Sequence, residues 1–405
     1  MALTALAPLP FADEKSKLKI TGIRLVRTRQ RHPLPSYTPD PNSWSTQGVE
    51  VANPMSIYPE YKAMRSLFMP DGGKVPSFTV EISTDKGIKG YGNGGPGGGM
   101  VVLEHLTKLL LNRDPFDIER NWDICWRSTM SYGRMGVTMN AISGIDMAMW
   151  DIVGKALNMP VYKLIGGEVK DRVPAYCTGN DIEQHVEFGY KRLKLAIPHG
   201  PADGRDGMKK NVELVKRART ALGPDGDIML DCWMSWDVPY TIQMARRLEE
   251  YSPRWIEEPV LPDKIEQYAE IRRNVNIPIS GGEHEYTRWG LKMLMDAGAC
   301  DVLQADIYWA GGISEMQKIC ALASAYDLPV IPHGHSTPAS AHLIAAWPKT
   351  TCPLLEYLVK WNEIHQHFLK TPLKPQGGMV TLPTTPGLGM ELDEDKIDSQ
   401  DELNF

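Results

Sequence analysis

From about residue 170 onward the chain alternates short apolar or β-branched runs with longer stretches of helical periodicity. This pattern predicts parallel strands separated by helices. The strands fall at 174–178, 192–197, 228–232, 255–258, 277–281, 302–306, 330–333 and 354–357. Eight strands with helices between them mean a closed barrel, and the reactive groups of such a barrel belong at the C-terminal ends of its strands. Ahead of it the pattern differs. Residues 1–17 read as a frayed leader and 18–28 as a first strand, whose Arg24, Arg27 and Arg29 read as solvated strand-edge charges. The Pro, Ser and Asn-rich stretch 31–59 has no periodicity, and a loop of that length is either disordered or a functional lid. A hairpin follows, 78–84 and 88–91 joined by Asp85-Lys-Gly. Helical patterns then cover 101–111, 118–128 and 139–157. The last has Ile142, Ile145, Met149, Ile152 and Val153 on one stripe and an i,i+4 pair of Asp151 with Lys155. Beyond about 370 the chain turns to Pro and Gly-rich coil with an acidic tail, expected to pack back on the N-terminal region.

Gly92-Asn-Gly-Gly-Pro-Gly-Gly-Gly contains a G-x-G-x-x-G match at Gly92, Gly94 and Gly97. A phosphate cradle of that kind opens a helix inside a βαβ unit. Here the run follows a hairpin and carries a proline, so it reads as a flexible turn.

Composition narrows the class. The 405 residues exceed one average domain, and a hydrophobic fraction of 42% with 23% charged is that of an ordinary soluble globular protein. A net charge of −6 gives no field for capturing nucleic acid or acidic membranes. No long apolar span and no signal-peptide order are seen. The six cysteines show no paired spacing and read as reduced, buried thiols of a cytoplasmic protein.

Chemistry enters at the strand ends. Asp231, Glu257 and Glu283 each close a predicted strand and stand 26 residues apart, a plausible length for a strand, a helix and two loops. Three carboxylates converging there repel one another unless a cation lies between them, and oxygen-only ligands select a hard ion, Mg²⁺. Glu258 rivals Glu257 as a ligand; the equal spacing favours Glu257. Asp306, His333 and Glu356 close the sixth, seventh and eighth strands. His333 is the first choice of base for a carbon beside a metal-bound carboxylate, with Asp306 fixing its tautomer. His335, His365 and His367 are weaker candidates.

Ile142-Ser-Gly-Ile-Asp-Met-Ala-Met-Trp-Asp, Leu230-Asp-Cys-Trp, Trp255-Ile-Glu-Glu, Ser280-Gly-Gly-Glu-His and Pro332-His-Gly resemble the enolase superfamily, mandelate racemase type, over most of residues 45–390. Within that type they are most similar to the L-rhamnonate dehydratases. The resemblance implies an α/β fold, a modified TIM barrel (β/α)₇β at 139–370. An α+β capping domain at 18–138, completed by 371–405, covers it. It implies Mg²⁺ on Asp231, Glu257 and Glu283, a dyad of His333 and Asp306, and Glu356 against the substrate carboxylate. His284 matches a site histidine or packs behind it; Arg65 matches a substrate-contacting arginine of the cap or lies at the surface. Mandelate racemase-type racemases carry Lys-x-Lys on the second barrel strand. Lys194-Leu-Ala196 keeps one lysine, which disfavours two-base racemisation, and Lys194 itself either contacts substrate or caps its strand. Ser43 of Pro41-Asn-Ser-Trp44 stands where the bacterial rhamnonate enzymes have a histidine, with His32 upstream. The implied activity is a hydro-lyase dehydrating an acid sugar to a 2-keto-3-deoxy acid. L-rhamnonate is the leading substrate; L-mannonate or L-lyxonate, or a racemase or cycloisomerase, are the alternatives. A homo-oligomer is implied as well.

Overall fold

The computed structural model describes residues 18–32, 51–65, 78–95 and 97–404. The expected leader, most of the 31–59 loop and its Ser43 and Trp44 lie outside those residues. Two sheets organise the rest. The first is antiparallel, in the order β11 (Ile397–Glu402), β1 (Ile20–Gln30), β2 (Phe78–Thr84), β3 (Lys89–Gly94). The acidic tail therefore returns as an edge strand beside β1. Phe78, Val80 and Ile82 alternate along β2 and meet the apolar sides of Ile118–Thr129 and Val137–Leu157 in one core. Glu81 points the other way. Arg24 is no loose edge charge, because it holds buried Glu81 through two hydrogen bonds of 2.9 and 2.8 Å. Arg29 pairs with Asp401 at the surface.

The first part of the glycine-rich run is strand, and the turn comes only after it, with Gly97 at φ 84°. Gly92 and Gly94 belong to β3, which lies against Val137–Leu157 so closely that a Cβ on Gly92 would sit 2.0 Å from the Gly144 carbonyl oxygen. Glycine is there for backbone approach.

The second sheet is parallel and curls into a barrel: β4 (Arg172–Thr178), β5 (Arg192–Ala196), β6 (Asp227–Asp231), β7 (Trp255–Glu257), β8 (Ile279–Gly281), β9 (Val302–Leu303), with β10 (Leu355–Leu358) pairing back onto β4. Tyr176, Met229, Trp255, Val302, Ile331 and Leu354 fill its interior. The strand expected at 330–333 contributes a single bridge, Val330 to Leu303. Pro329 and Pro332 flank it without N–H groups, so no longer ladder forms. Backbone bonds from Ile331 to Leu303 O (2.8 Å) and from His333 to Ala305 O (3.3 Å) still hold this stave in place. Register sets the mouth: Ala196 is level with Asp231, and Asp231 with Glu257.

Val137–Leu157 joins the two parts. Its apolar side chains enter the first core, while Ser143 accepts the Gly311 N–H (3.0 Å) and Asp146 the Ser314 N–H (3.0 Å) from the barrel side. No helix among the described residues is long and apolar enough to cross a membrane. The six cysteines are free and buried.

Candidate active site

At the C-terminal ends of the barrel strands, Asp231, Glu257 and Glu283 each present an oxygen within 4.8 Å of the others. Asp231 and Glu257 arrive as level neighbours on β6 and β7; Glu283 lies just past β8. Burial pushes all three carboxyls above their ordinary values, with Lys194 opposing. Glu283 Oε2 is buried without a hydrogen bond. Three crowded acids, oxygen donors only and one orphaned oxygen fit a hard divalent ion such as Mg²⁺.

Glu258 is separate from that cluster. Its backbone turns into the left-handed region (φ 41°) as the chain leaves β7, and its carboxylate holds His284 Nδ1 at 2.7 Å. Against burial, which lowers it, Glu258 and then Glu283 raise the His284 imidazole to about 9. His284 Nε2 stands 4.0 Å from Glu283 Oε1.

His333 approaches the same acid from the next staves. Its Nε2 lies 3.5 Å from Glu283 Oε2 and its Nδ1 2.6 Å from Asp306 Oδ2. Burial lowers the imidazole, but Glu283, Glu356 and Asp306 together carry it to about 10. Asp306, fully buried, is held well below the carboxylate range by the two imidazoles beside it, His335 and His333, despite the upward push of burial.

Lys194 is wholly buried on β5. Its ammonium meets Glu257 at 2.7 Å and Glu356 at 2.9 Å, with Asp231 at 3.7 Å. It balances charge among the acids. Glu356 also accepts from Thr178 Oγ1 and from the Gly334 N–H (3.0 Å). Arg65 reaches the mouth from the other part of the molecule, its guanidinium 4.3 Å over the Trp233 ring.

Asp231, Glu257, Glu283, His284, Asp306, His333, Glu356, Lys194 and Arg65 thus lie at or beside one mouth, whereas His365 stacks on Trp361 and His367 meets Phe368 edge-on. Sequence reasoning undervalued one histidine and missed the aromatic wall. His335 shares Asp306 with His333, its Nδ1 2.7 Å from the same Oδ2. Asp306, His333 and His335 could in principle hold an ion of their own. Two ring nitrogens aimed at one oxygen at hydrogen-bond length instead place protons there. Trp309 stands against His284, His333 and His335 with ring centroids 5.4, 5.8 and 4.9 Å away. The spacing His333-Gly-His335 at a strand end was the available signal for the histidine; for Trp309 the chain carries none.

A model described as enolase C-terminal domain-like matches residues 179–396, and the mandelate racemase / muconate lactonizing enzyme N-terminal domain matches 67–166. L-rhamnonate dehydratase of Saccharopolyspora erythraea is 37% identical over 353 residues, 84% of this chain and 89% of its own. The crystal structure of rhamnonate dehydratase from Gibberella zeae complexed with Mg superposes with a TM-score of 0.83 at 34% identity, covering 93% and 94% of the two chains. The 3,6-anhydro-D-galactonate cycloisomerase of Zobellia galactanivorans gives 0.72 at 33% identity, covering 80% and 94%.

Proposed function

This chain belongs to the mandelate racemase / muconate lactonizing enzyme family of the enolase superfamily, and on that premise we propose that it dehydrates L-rhamnonate with Mg²⁺. The observation that carries the reading is the meeting of three acids and the His333–Asp306 pair at one barrel mouth. Asp231, Glu257 and Glu283 would hold the ion. Bound there, Mg²⁺ would neutralise the substrate carboxylate and acidify its α-hydrogen.

The chain's own groups do the rest. Unprotonated His333 takes the α-proton at Nε2, with Asp306 fixing the Nδ1–H tautomer; the Glu283 charge that raises this imidazole would be offset by a bound cation. The C3–O bond breaks with a proton from His333 or His284, water leaves, and the enol becomes a 2-keto-3-deoxy acid. Lys194 and Glu356 order the floor on which the carboxylate rests, and Arg65 reaches substrate from the cap. The division into a cap (18–138 with 371–405) and a barrel (139–370), and a cytoplasmic homo-oligomer, are part of the same proposal.

The cycloisomerase neighbour favours a second reading on the same scaffold. Two-base racemisation is opposed by Ala196, which offers no base, and by a Lys194 engaged with Glu257 and Glu356. A screen of L-rhamnonate, L-mannonate and L-lyxonate with Mg²⁺, reading keto-acid release, tests the assignment. L-rhamnonate should be turned over fastest, and His333→Asn should abolish turnover. Turnover of none of the three, or normal turnover by His333→Asn, would overturn it.

A further inference from the structure

We propose that His335 is a positioning residue for the base: it anchors Asp306 through the same Oδ2 that His333 holds, so that the constellation is His333–Asp306–His335. The inference rests on the dehydratase reading of the site and adds to it a residue that reading does not use.

Asp306 is caught from three directions. Oδ1 accepts the Tyr308 N–H at 2.6 Å, and Oδ2 accepts from His333 Nδ1 at 2.6 Å and His335 Nδ1 at 2.7 Å. A ring nitrogen facing a carboxylate oxygen at that length carries the hydrogen. Both imidazoles are therefore Nδ1–H donors, and His333 keeps Nε2 for the cleft. The carboxylate cannot swing without breaking one of these bonds, so the plane of the His333 ring follows from where Asp306 is pinned.

His335 is itself fixed. Its backbone N–H bonds His333 O at 3.1 Å, and its carbonyl accepts from Trp361 Nε1 at 3.0 Å. Its ring packs against Trp361 (4.6 Å) and Trp309 (4.9 Å). Its outer side lines a cavity of about 180 Å³ between the antiparallel sheet and the barrel. Burial first, then the neighbouring His333, hold its imidazole below the ordinary range, so it serves as a neutral donor rather than a charge. A residue needed only to fill an aromatic box would not require an N–H aimed at the dyad.

The position of that N–H makes the test. His335→Asn keeps a donor where Nδ1 stands; His335→Gln carries its amide one carbon further; His335→Leu has none. With L-rhamnonate and saturating Mg²⁺, the Gln and Leu variants should lose roughly tenfold to a hundredfold in kcat while KM holds within about threefold, and the Asn variant should stay within about threefold of the parent. Should the Leu variant fail to fold, the Asn and Gln contrast stands alone. Equal loss in Asn and Gln, no loss in any variant, or a loss confined to KM or Mg²⁺ affinity overturns the proposal.

A parent inactive on every acid sugar sinks the dehydratase reading alone, because a second readout needs no turnover. The downfield Nδ1–H proton of His333, read by NMR, should move in the Gln and Leu variants and hold in the Asn variant. A resonance unchanged in all three refutes the anchoring.

Discussion

Lys194 shares its ammonium among Glu257, Glu356 and, at longer range, Asp231, with no exposed surface of its own. Removing one partner of a buried ion network leaves the others uncompensated, typically about 3–5 kcal/mol. Lys194→Met should therefore melt markedly lower than the parent in chelator, and Mg²⁺ should narrow the difference, because the folded acids bind the cation more tightly once the ammonium beside them is gone. Melts with and without Mg²⁺ check this; an identical deficit in both counts against the charge-balancing role. Glu283→Gln makes a separate case. After burial, which lowers it, Glu283 is the largest influence on the His333 imidazole and raises it toward about 10. Its replacement should weaken Mg²⁺ binding, measured by calorimetry, and lower the His333 pKa, followed by NMR titration. Asp231 and Glu257 were legible because each ends a strand and barrel strands end level; Glu283 and Asp306 follow their strands by two and three residues, and Glu356 lies within its own. His335 stands two residues after His333, a spacing that marks it, but Trp309 meets the histidines only through contacts between segments that follow different strands, which no spacing along the chain encodes.

Among the elements, strands and helices were read largely where they occur, and the misreadings share a cause. A glycine that permits a turn and a glycine that permits backbone contact are the same letter. The run at 92–94 became strand because Val137–Leu157 lies on it, and that packing is tertiary. Gly92→Ala should cost about 3 kcal/mol, the upper end for overpacking, since the obstructing atom at 2.0 Å is backbone and cannot rotate away. Gly22→Ala, on β1 with nothing within 4 Å of the added carbon, is the matched control and should be near neutral. Urea titrations of the two variants give the comparison; equal midpoints would mean the helix yields. The stave at 330–333 shows the converse. Its apolar run and its terminal His333 were legible, but Pro329 and Pro332 shortened its ladder to one bridge. The acid–base residue kept its place because hydrogen bonds to β9 and the segment after it position it.

At the scale of the molecule, one helix decides whether the antiparallel sheet and the barrel behave as one body. Val137–Leu157 buries apolar side chains with the sheet and sends Ser143 and Asp146 to residues 311–314, just after the short helix Ile307–Ala310 that Asp306 caps and that carries Trp309. Trp122 adds a bond to Gly311 O at 2.8 Å, and Trp150 one to Ser314 Oγ at 2.9 Å. A joint so buried should make unfolding a single transition, seen together by far-ultraviolet dichroism and tryptophan fluorescence. Its pH dependence has a definite sign. Burial raises the Asp146 carboxyl to about 7, although Ser314 donates to both of its oxygens. The unfolded group titrates near 3.8, so the unfolded chain gives up this proton first. The contribution of Asp146 is therefore complete below about pH 4 and is lost as pH rises toward 7, where the folded state must bury the charge. Asp146→Asn cannot ionise. The melting temperature of the parent minus that of Asp146→Asn should fall steadily between pH 4 and pH 8, the other carboxylates cancelling in the difference. A difference flat across that range would mean that Asp146 keeps its charge in the joint, and that Ser314 rather than burial sets its state.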